Sequence, residues 1–384
     1  MHYHLILTEK CNLQCRYCYG KSNKPEEFDN QLEERFNFDF SDPCTSQVDI
    51  EKLKEFLLQD SNPVLIFYGG EPLLQIEKIT KIMDSLQDTN VKFRMQTNGV
   101  LLDRIPMKYL NKIGKILVSL DGNKERTDLN RGEGNFEKVY SNINKIKEQG
   151  YSGEIIARMT LTTEEPRTTD IYEQVINLIN LGFTSIHWQL DVGFYQSDYE
   201  KEKVETFFKE YNESISKLID WWLQELKKGN IYRLYPFLGI IKPLLNNGES
   251  MENISCGLRC GAGNKGYAIS TSGKIVACPI MNNIEDFKAG DINSKTETKD
   301  LKKFDCLNEC KDCEVYGLCG GRCLYWRKAK LWPEEGDKMI CNSIKHYINE
   351  LKSRFPEIRE EIEKENLKKE EFDYEDYFGP ESIP

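Results

Sequence analysis

Across the first half of the chain, short apolar runs alternate with longer stretches in which apolar residues recur every three or four positions. That is the pattern of repeated β–α units. The runs predict strands over Tyr3 to Thr8, Val64 to Tyr68, Lys92 to Gln96, Ile116 to Leu120, Ile155 to Thr162 and Ser185 to Leu190. The periodic stretches predict helices over Asp49 to Gln59, Leu74 to Gln87, Phe136 to Gln149 and Asp170 to Leu181. Six parallel strands joined by right-handed crossovers make an open sheet or a partial barrel, here a partial TIM-like (β/α)6 barrel.

After these units the pattern changes. Glu200 to Asn246 reads as helical, and Tyr267 to Ser270 and Lys274 to Ala277 flank Thr271-Ser272-Gly273 as the arms of a β-hairpin. Tyr347 to Lys369 is charged and helical, with a break or restart predicted at Pro356. Gly20 to Thr45 is polar, acidic and aperiodic, which reads as a long loop of the kind that often serves as a lid. The expected organisation of this α/β chain is a partial barrel over 1–199 and a helical bridge over 200–250. A small cysteine-rich domain with a hairpin follows over 251–345, then a charged C-terminal helix and tail over 346–384.

Charge and composition narrow the partners. The 384 residues carry a formal charge of −11. Lys and Arg alternate with Glu and Asp along the helical stretches, as on solvated faces, so a nucleic-acid partner is not expected. No apolar run of about 18 residues occurs, so no membrane span is expected. Met1 to Thr8 reads as a strand rather than a signal peptide. The expected compartment is the cytoplasm, where thiols stay reduced, and there the thirteen cysteines read as ligands rather than disulfides.

Cys11, Cys15 and Cys18 place three thiolates within eight residues. A four-iron cube takes four ligands, so three leave one iron open for a small molecule. A zinc knuckle would need a fourth ligand, and His2 and His4 stand at the wrong end of the first strand to supply it. The pattern C-x3-C-x2-C, with Tyr17 before the last cysteine, resembles the signature of the radical SAM superfamily. Four further segments carry the resemblance: Gly69-Gly70-Glu71-Pro72 after the second strand, Gln96-Thr97-Asn98-Gly99 after the third, Ser119-Leu120-Asp121-Gly122 after the fourth, and Arg158 in the fifth. They stand at or near the C-terminal ends of successive strands, where βα barrels build their sites. The resemblance implies that Tyr17, Gly69, Gly70, Glu71, Pro72, Gln96, Thr97, Asn98, Ser119, Asp121 and Arg158 bind S-adenosylmethionine. Gly69 to Pro72 would hold its amino group, and Arg158 its carboxylate. Arg131, in Asn130-Arg131-Gly132, matches a family stretch but reads equally well as part of a surface capping loop.

A second constellation follows. Cys260 and Cys278 bracket Gly273, and Cys310-x2-Cys313-x5-Cys319-x3-Cys323 precedes Cys341. This resembles the SPASM domain of radical SAM enzymes that modify peptides and proteins. With Cys256 as an eighth ligand, the resemblance implies two auxiliary [4Fe-4S] clusters. One would be held by Cys256, Cys260, Cys278 and Cys323, the other by Cys310, Cys313, Cys319 and Cys341. Paired structural zinc sites are the alternative that C-x2-C spacing allows. Cys44 and Cys306 receive no role.

The implied activity is a radical oxidoreductase in which S-adenosylmethionine and three [4Fe-4S] clusters generate a 5′-deoxyadenosyl radical that takes hydrogen from a peptide carbon. A crosslink or oxidation during maturation of a ribosomally made peptide would result. Action on another protein, as in sulfatase maturation, or on a small molecule is the alternative. Pro279 stands where sulfatase-maturing relatives carry an aspartate after the cysteine matching Cys278, which counts against formylglycine formation. No segment ahead of the first strand resembles a leader-binding module, so the peptide is expected to be recruited by the barrel, by the tail or by a separate protein. A flavodoxin- or ferredoxin-type reductant is the implied electron source.

Overall fold

The computed structural model describes residues 1–20, 30–163, 170–191, 199–247, 258–304 and 308–377. Its first part runs β1 His2–Ile6, α1 Asn30–Glu33, α2 Ile50–Leu57, β2 Val64–Tyr68, α3 Ile76–Ser85, β3 Lys92–Thr97, α4 Met107–Leu110, β4 Ile113–Ser119, α5 Lys124–Arg131, α6 Asn135–Glu148, β5 Glu154–Leu161, α7 Ile171–Asn180 and β6 Ser185–Leu190. There follow α8 Lys201–Lys227, β7 Arg233–Leu234, α9 Tyr235–Asn247, β8 Gly266–Ile269, β9 Lys274–Val276, β10 Lys288–Asp291, α10 Tyr316–Cys319, α11 Leu324–Ala329 and α12 Glu334–Glu363. All six strands and four helices read from the first half of the sequence are present. Their start signals are chemical: Asp49 accepts from the Glu51 and Lys52 amides to cap α2, and Asp170 accepts from the Glu173 amide to cap α7.

The chain gathers into two compact units. Unit one comprises Met1–Leu120, Lys124–Ile156 and Gly261–Asp305; unit two comprises Asp121–Asn123, Ala157–Cys260 and Cys306–Pro384.

In unit one the strand order is β10-β9-β8-β1-β2-β3-β4, with the start of β5 beside β4. Strands β1 to β4 pair in parallel, with His2 opposite Val64 and Val64 opposite Lys92. Strand β2, Val-Leu-Ile-Phe-Tyr, is buried along its whole length, as expected where both faces of a parallel sheet are covered. The predicted hairpin extends this sheet: β8 joins the free edge of β1 in parallel, Tyr3 opposite Tyr267, and β9 and β10 continue antiparallel.

Residues 37–47, the second half of the acidic loop, form a strap bonded along its length. Asp39 N donates to the Asn283 carbonyl, Ser46 N to Leu7 and Gln47 N to Thr271. Lys274 Nζ clamps the strap through Asp39 at 2.5 Å and Asp42 at 3.1 Å. Burial alone would lower the Lys274 pKa, but the two carboxylates outweigh it and hold the ammonium well above its ordinary value. This stretch is anchored rather than poised as a lid, because its acidic residues have a partly buried cation to meet.

In unit two the order is β5-β6-β7, and α8 and α12 pack along each other. Ser343 Oγ donates to Asn212 Oδ1 at 2.6 Å, and Arg354 reaches Asp220 at 2.8 Å. Two expectations are corrected here. The stretch Glu200 to Asn246 is interrupted: α8 ends, Gly229 takes φ +81°, and Arg233–Leu234 form β7 before α9 begins. Helix α12 begins at Glu334 and carries Pro356 within it rather than breaking there. Its buried stripe of Leu351, Phe355 and Ile358 offsets the roughly 3 kcal/mol an interior proline costs a helix.

Candidate active site

The loop after β1 carries the three clustered cysteines, and neighbouring elements of unit one hold its shape. Cys18 N donates to the Cys15 carbonyl at 3.1 Å, and Leu13 N lies 3.4 Å from the Cys11 sulfur. From the end of β3, Asn98 Nδ2 bonds Asn12 Oδ1 at 2.8 Å and lies 3.7 Å from Cys11 Sγ. From the end of α5, Arg131 sets Nη1 4.0 Å from Cys15 Sγ and its guanidinium over the Tyr17 ring, while Arg16 N donates to the Asn130 carbonyl. Arg131, which the sequence left undecided, is 7% exposed; it belongs to the cysteine loop and not to a surface turn. Tyr19 continues the loop to β2 through a 2.6 Å hydroxyl pair with Tyr68.

The Gly69-Gly70-Glu71-Pro72 segment is packed beneath this loop. Gly70 N donates to the Thr8 carbonyl at 2.7 Å and Glu71 N to Lys10 at 2.9 Å. Gly69 has φ +145°, and a Cβ there would stand 2.4 Å from the Thr8 oxygen; a Cβ on Gly70 would stand 2.4 Å from the Lys10 oxygen. Both glycines are thus required by backbone-to-backbone contact. Gly70→Ala is expected to destabilise the protein by about 2 kcal/mol and to lower cluster occupancy, read from thermal unfolding and iron content. A wild-type melting curve with full iron would refute this.

Glu71 is fully buried. Its Oε1 accepts from Leu73 N at 3.0 Å and Thr97 Oγ1 at 2.7 Å, and its Oε2 accepts from Asn98 N at 2.8 Å. Burial pushes its pKa up to about 7, although those three donors pull it down. The carboxylate therefore fastens the end of β3, and with it Asn98, to the segment under the cysteine loop. Pro72 opens the short 3-10 turn that follows, Gln96 is half-buried on β3, and Ser119 ends β4. Glu9, two residues before Cys11, is pushed up to about 7 by burial and by the charge of Asp42, against a 3.1 Å bond from Asn282 Nδ2.

Asp121 and Arg158 belong to unit two. Asp121 is fully buried and accepts from Thr160 N at 3.0 Å. The adjoining Gly122, at φ +111°, faces Gln174, whose Oε1 accepts from Asn123 N. Arg158 is half-buried on β5. On β6, His187 is fully buried, and its pKa is driven well below the usual value by burial and by the Arg158 charge.

All eleven cysteines among the described residues are free thiols. No group of three or more His, Cys, Asp or Glu among those residues is drawn close enough to hold a single metal ion; a four-iron cube spreads its thiolates more widely. The donor set fits such a cluster: soft sulfur ligands, with Arg131 beside Cys15 and Arg327 Nη2 3.1 Å from Cys310 Sγ to offset thiolate charge. Of the later cysteines, Cys278 lies in unit one, and Cys260, Cys310, Cys313, Cys319, Cys323 and Cys341 lie in unit two. Cys256 is outside the described residues. Pro279 opens a 3-10 turn, Pro279–Met281, directly after Cys278.

The family model described as the Radical SAM superfamily matches residues 5–175, a span that includes the three loop cysteines and the glycine segment packed beneath them. Residues 5–175 are a radical SAM domain. As a radical SAM enzyme the chain shares its fold class, an α/β parallel sheet of the partial-barrel kind with a C-terminal cysteine-rich part, with solved neighbours. The family uses S-adenosylmethionine and a [4Fe-4S] cluster.

The radical SAM chain is 24% identical over 359 residues to a cysteine-type anaerobic sulfatase-maturating enzyme of Clostridium perfringens, covering 88% of this chain and 92% of that one. It is 23% identical over 337 residues to the radical SAM cyclopropyl synthase TigE of Paramaledivibacter caminithermalis, covering 83% and 67%. Among solved structures, native anSMEcpe with bound AdoMet and Cp18Cys peptide aligns with a TM-score of 0.71 at 21% identity, over 94% of this chain and 99% of that chain. Streptococcus suis SuiB bound to precursor peptide SuiA aligns with a TM-score of 0.54 at 16% identity, over 85% and 72%. Both of these solved neighbours hold a bound peptide. No helix among the described residues is long and apolar enough to cross a membrane.

Proposed function

We propose that this radical SAM enzyme abstracts hydrogen from a carbon of a peptide substrate and so installs a crosslink or an oxidation in a ribosomally made peptide. The observation that carries the reading is the cysteine loop: three thiols, of which Cys11 lies beside Asn98 after β3 and Cys15 beside Arg131 of α5, over a glycine segment locked to the same loop. With an iron–sulfur cluster and S-adenosylmethionine bound, such a site is supplied with a carbon radical by one-electron cleavage of the sulfonium. The chain's part is positional. Cys11, Cys15 and Cys18 would hold the cluster, Arg131 would balance its charge, and Glu71 keeps Asn98 against Cys11. Gly69 to Pro72, Gln96, Thr97, Ser119, Asp121, Tyr17 and Arg158 would enclose the cofactor.

The later cysteines, in two sets of four, would hold two auxiliary clusters that conduct an electron away from the product radical; a ligand set without an open position suits conduction better than substrate binding. A flavodoxin- or ferredoxin-type protein would be the reductant. Protein-directed sulfatase maturation is the second reading, favoured by the end-to-end likeness to the Clostridium enzyme. Pro279 opposes it, since a proline offers no carboxylate to take a proton.

Co-expression with short reading frames beside the gene, followed by mass spectrometry, tests the reading. The expected result is a peptide lighter by two hydrogens, with stoichiometric 5′-deoxyadenosine release in the purified system. Unmodified neighbouring peptides together with conversion of a sulfatase cysteine peptide would transfer the conclusion to the second reading.

A further inference from the structure

A set of fixed charges in unit two lies against thiols that the radical-forming loop does not use. Arg327, on α11, places Nη2 3.1 Å from Cys310 Sγ, and the same guanidinium bonds Asp337 Oδ2 at 2.9 Å and Glu309 Oε2 at 3.2 Å. Its Nε is buried with no acceptor among the described residues, so one donor is unspent. Arg322, between Cys319 and Cys323 in sequence, is 3% exposed and ion-paired with Asp337 Oδ1. Trp326 Nε1 donates to that same oxygen at 3.1 Å. One carboxylate thus braces two guanidiniums, both of them close to the cysteines, while the more exposed Glu309 pairs with Arg327 on its outer side.

The backbone adds an independent observation. Arg322 has φ +70°, following Gly320 at +71° and Gly321 at +92°. Glycine takes this region freely and an arginine does not. Arg322 thus carries its guanidinium on a backbone conformation that a third glycine would take without strain.

We propose that Arg322 and Arg327, braced by Asp337, raise the reduction potential of an auxiliary cluster held by Cys310, Cys313, Cys319 and Cys341. This rests on the reading that those four cysteines hold a four-iron cluster. Reduction adds one electron to an already anionic group, so neighbouring positive charge and donors to its sulfurs favour the reduced form. Burial weakens solvent screening of that effect. Removing either arginine must lower the potential, and removing Asp337 must raise it. A purely structural role for the trio has no such sign.

The test is an EPR-monitored redox titration of the reconstituted full chain. Arg327→Gln and Arg322→Gly are each expected to move one wave to lower potential while the others stay. The reduced-to-oxidised ratio of that cluster would fall about tenfold at a fixed potential, 59 mV for a one-electron couple. Asp337→Asn is expected to move the same wave upward, and Arg327→Lys to restore most of the shift. Arg322→Gly relieves the backbone, so it separates charge from folding. Full iron in all variants with no wave displaced, or arginine and aspartate variants displaced in the same direction, would overturn the proposal. The underlying reading fails separately, if a Cys310→Ala, Cys313→Ala double variant keeps all its iron.

Discussion

Replacing Cys11, Cys15 and Cys18 together with alanine is expected to abolish release of 5′-deoxyadenosine from S-adenosylmethionine, by more than ~1,000-fold, while iron on the later cysteines survives. Under the three-cluster reading the iron content falls from about twelve to about eight per chain. The two readouts separate the possibilities. Loss of activity with loss of all iron would mean that the variant has not folded or that its clusters assemble together. Retained activity would remove the loop from the chemistry altogether. The effect is expected to be that large because the loop supplies the thiol ligands beside Asn98 and Arg131.

Glu71→Ala is expected to have the second largest effect, for a different reason. It would leave Leu73 N, Thr97 Oγ1 and Asn98 N unpaired in a buried place, at about 1–3 kcal/mol for each donor left without a partner. A loss of apparent stability on the order of 3 kcal/mol is therefore expected even after partial relaxation. Glu71→Gln is not a mild control, since its amide nitrogen would face either Asn98 N or the other two donors. Both variants are expected to weaken S-adenosylmethionine binding, measured on the reconstituted protein, because Asn98 loses its hold beside Cys11. Unchanged binding with lowered stability would confine Glu71 to the scaffold.

The same carboxyl gives a pH dependence with a definite sign. Its pKa in the folded protein, about 7, is above the ordinary 4.5, so the folded chain holds this proton where the unfolded chain has released it. Its contribution is full below about 4.5 and is lost as pH rises through about 7. Unfolding followed from pH 5 to 8 is expected to show a decline that is absent in Glu71→Ala; equal slopes in both proteins would rule it out.

The strands were legible because parallel strands buried on both faces read as continuous apolar runs, as Val64–Tyr68 does. The partner of a strand edge was not, because periodicity carries no information about pairing. Nothing in Tyr267 announces that it will lie opposite Tyr3. The cysteine loop was legible from spacing alone. Arg131 was not, since an isolated arginine in a glycine turn has the same sequence appearance on a surface as over Tyr17. Glu71 was grouped by sequence with the cofactor's neighbours, and its carboxylate is engaged by Thr97, Asn98 and Leu73; a motif names residues without saying which way their side chains turn. The hidden anchor of the acidic strap is similar: Lys274 is one lysine among many until Asp39 and Asp42 are seen on it.

The parallel seat of β8 beside β1 has a consequence for how the chain is made. Synthesis proceeds from the N-terminus, so β1 can find β2 early, yet its other edge stays unpaired until Gly266–Ile269 has emerged. Until then the nascent chain carries an open edge on the strand that leads into Cys11. Such an edge invites pairing with other chains. The ordering that follows places completion of the sheet, and with it a settled loop to receive iron, after Gly266–Ile269 has been made. Slowing release from the ribosome, or supplying a holdase, should therefore improve the yield of loaded protein more than supplying iron does.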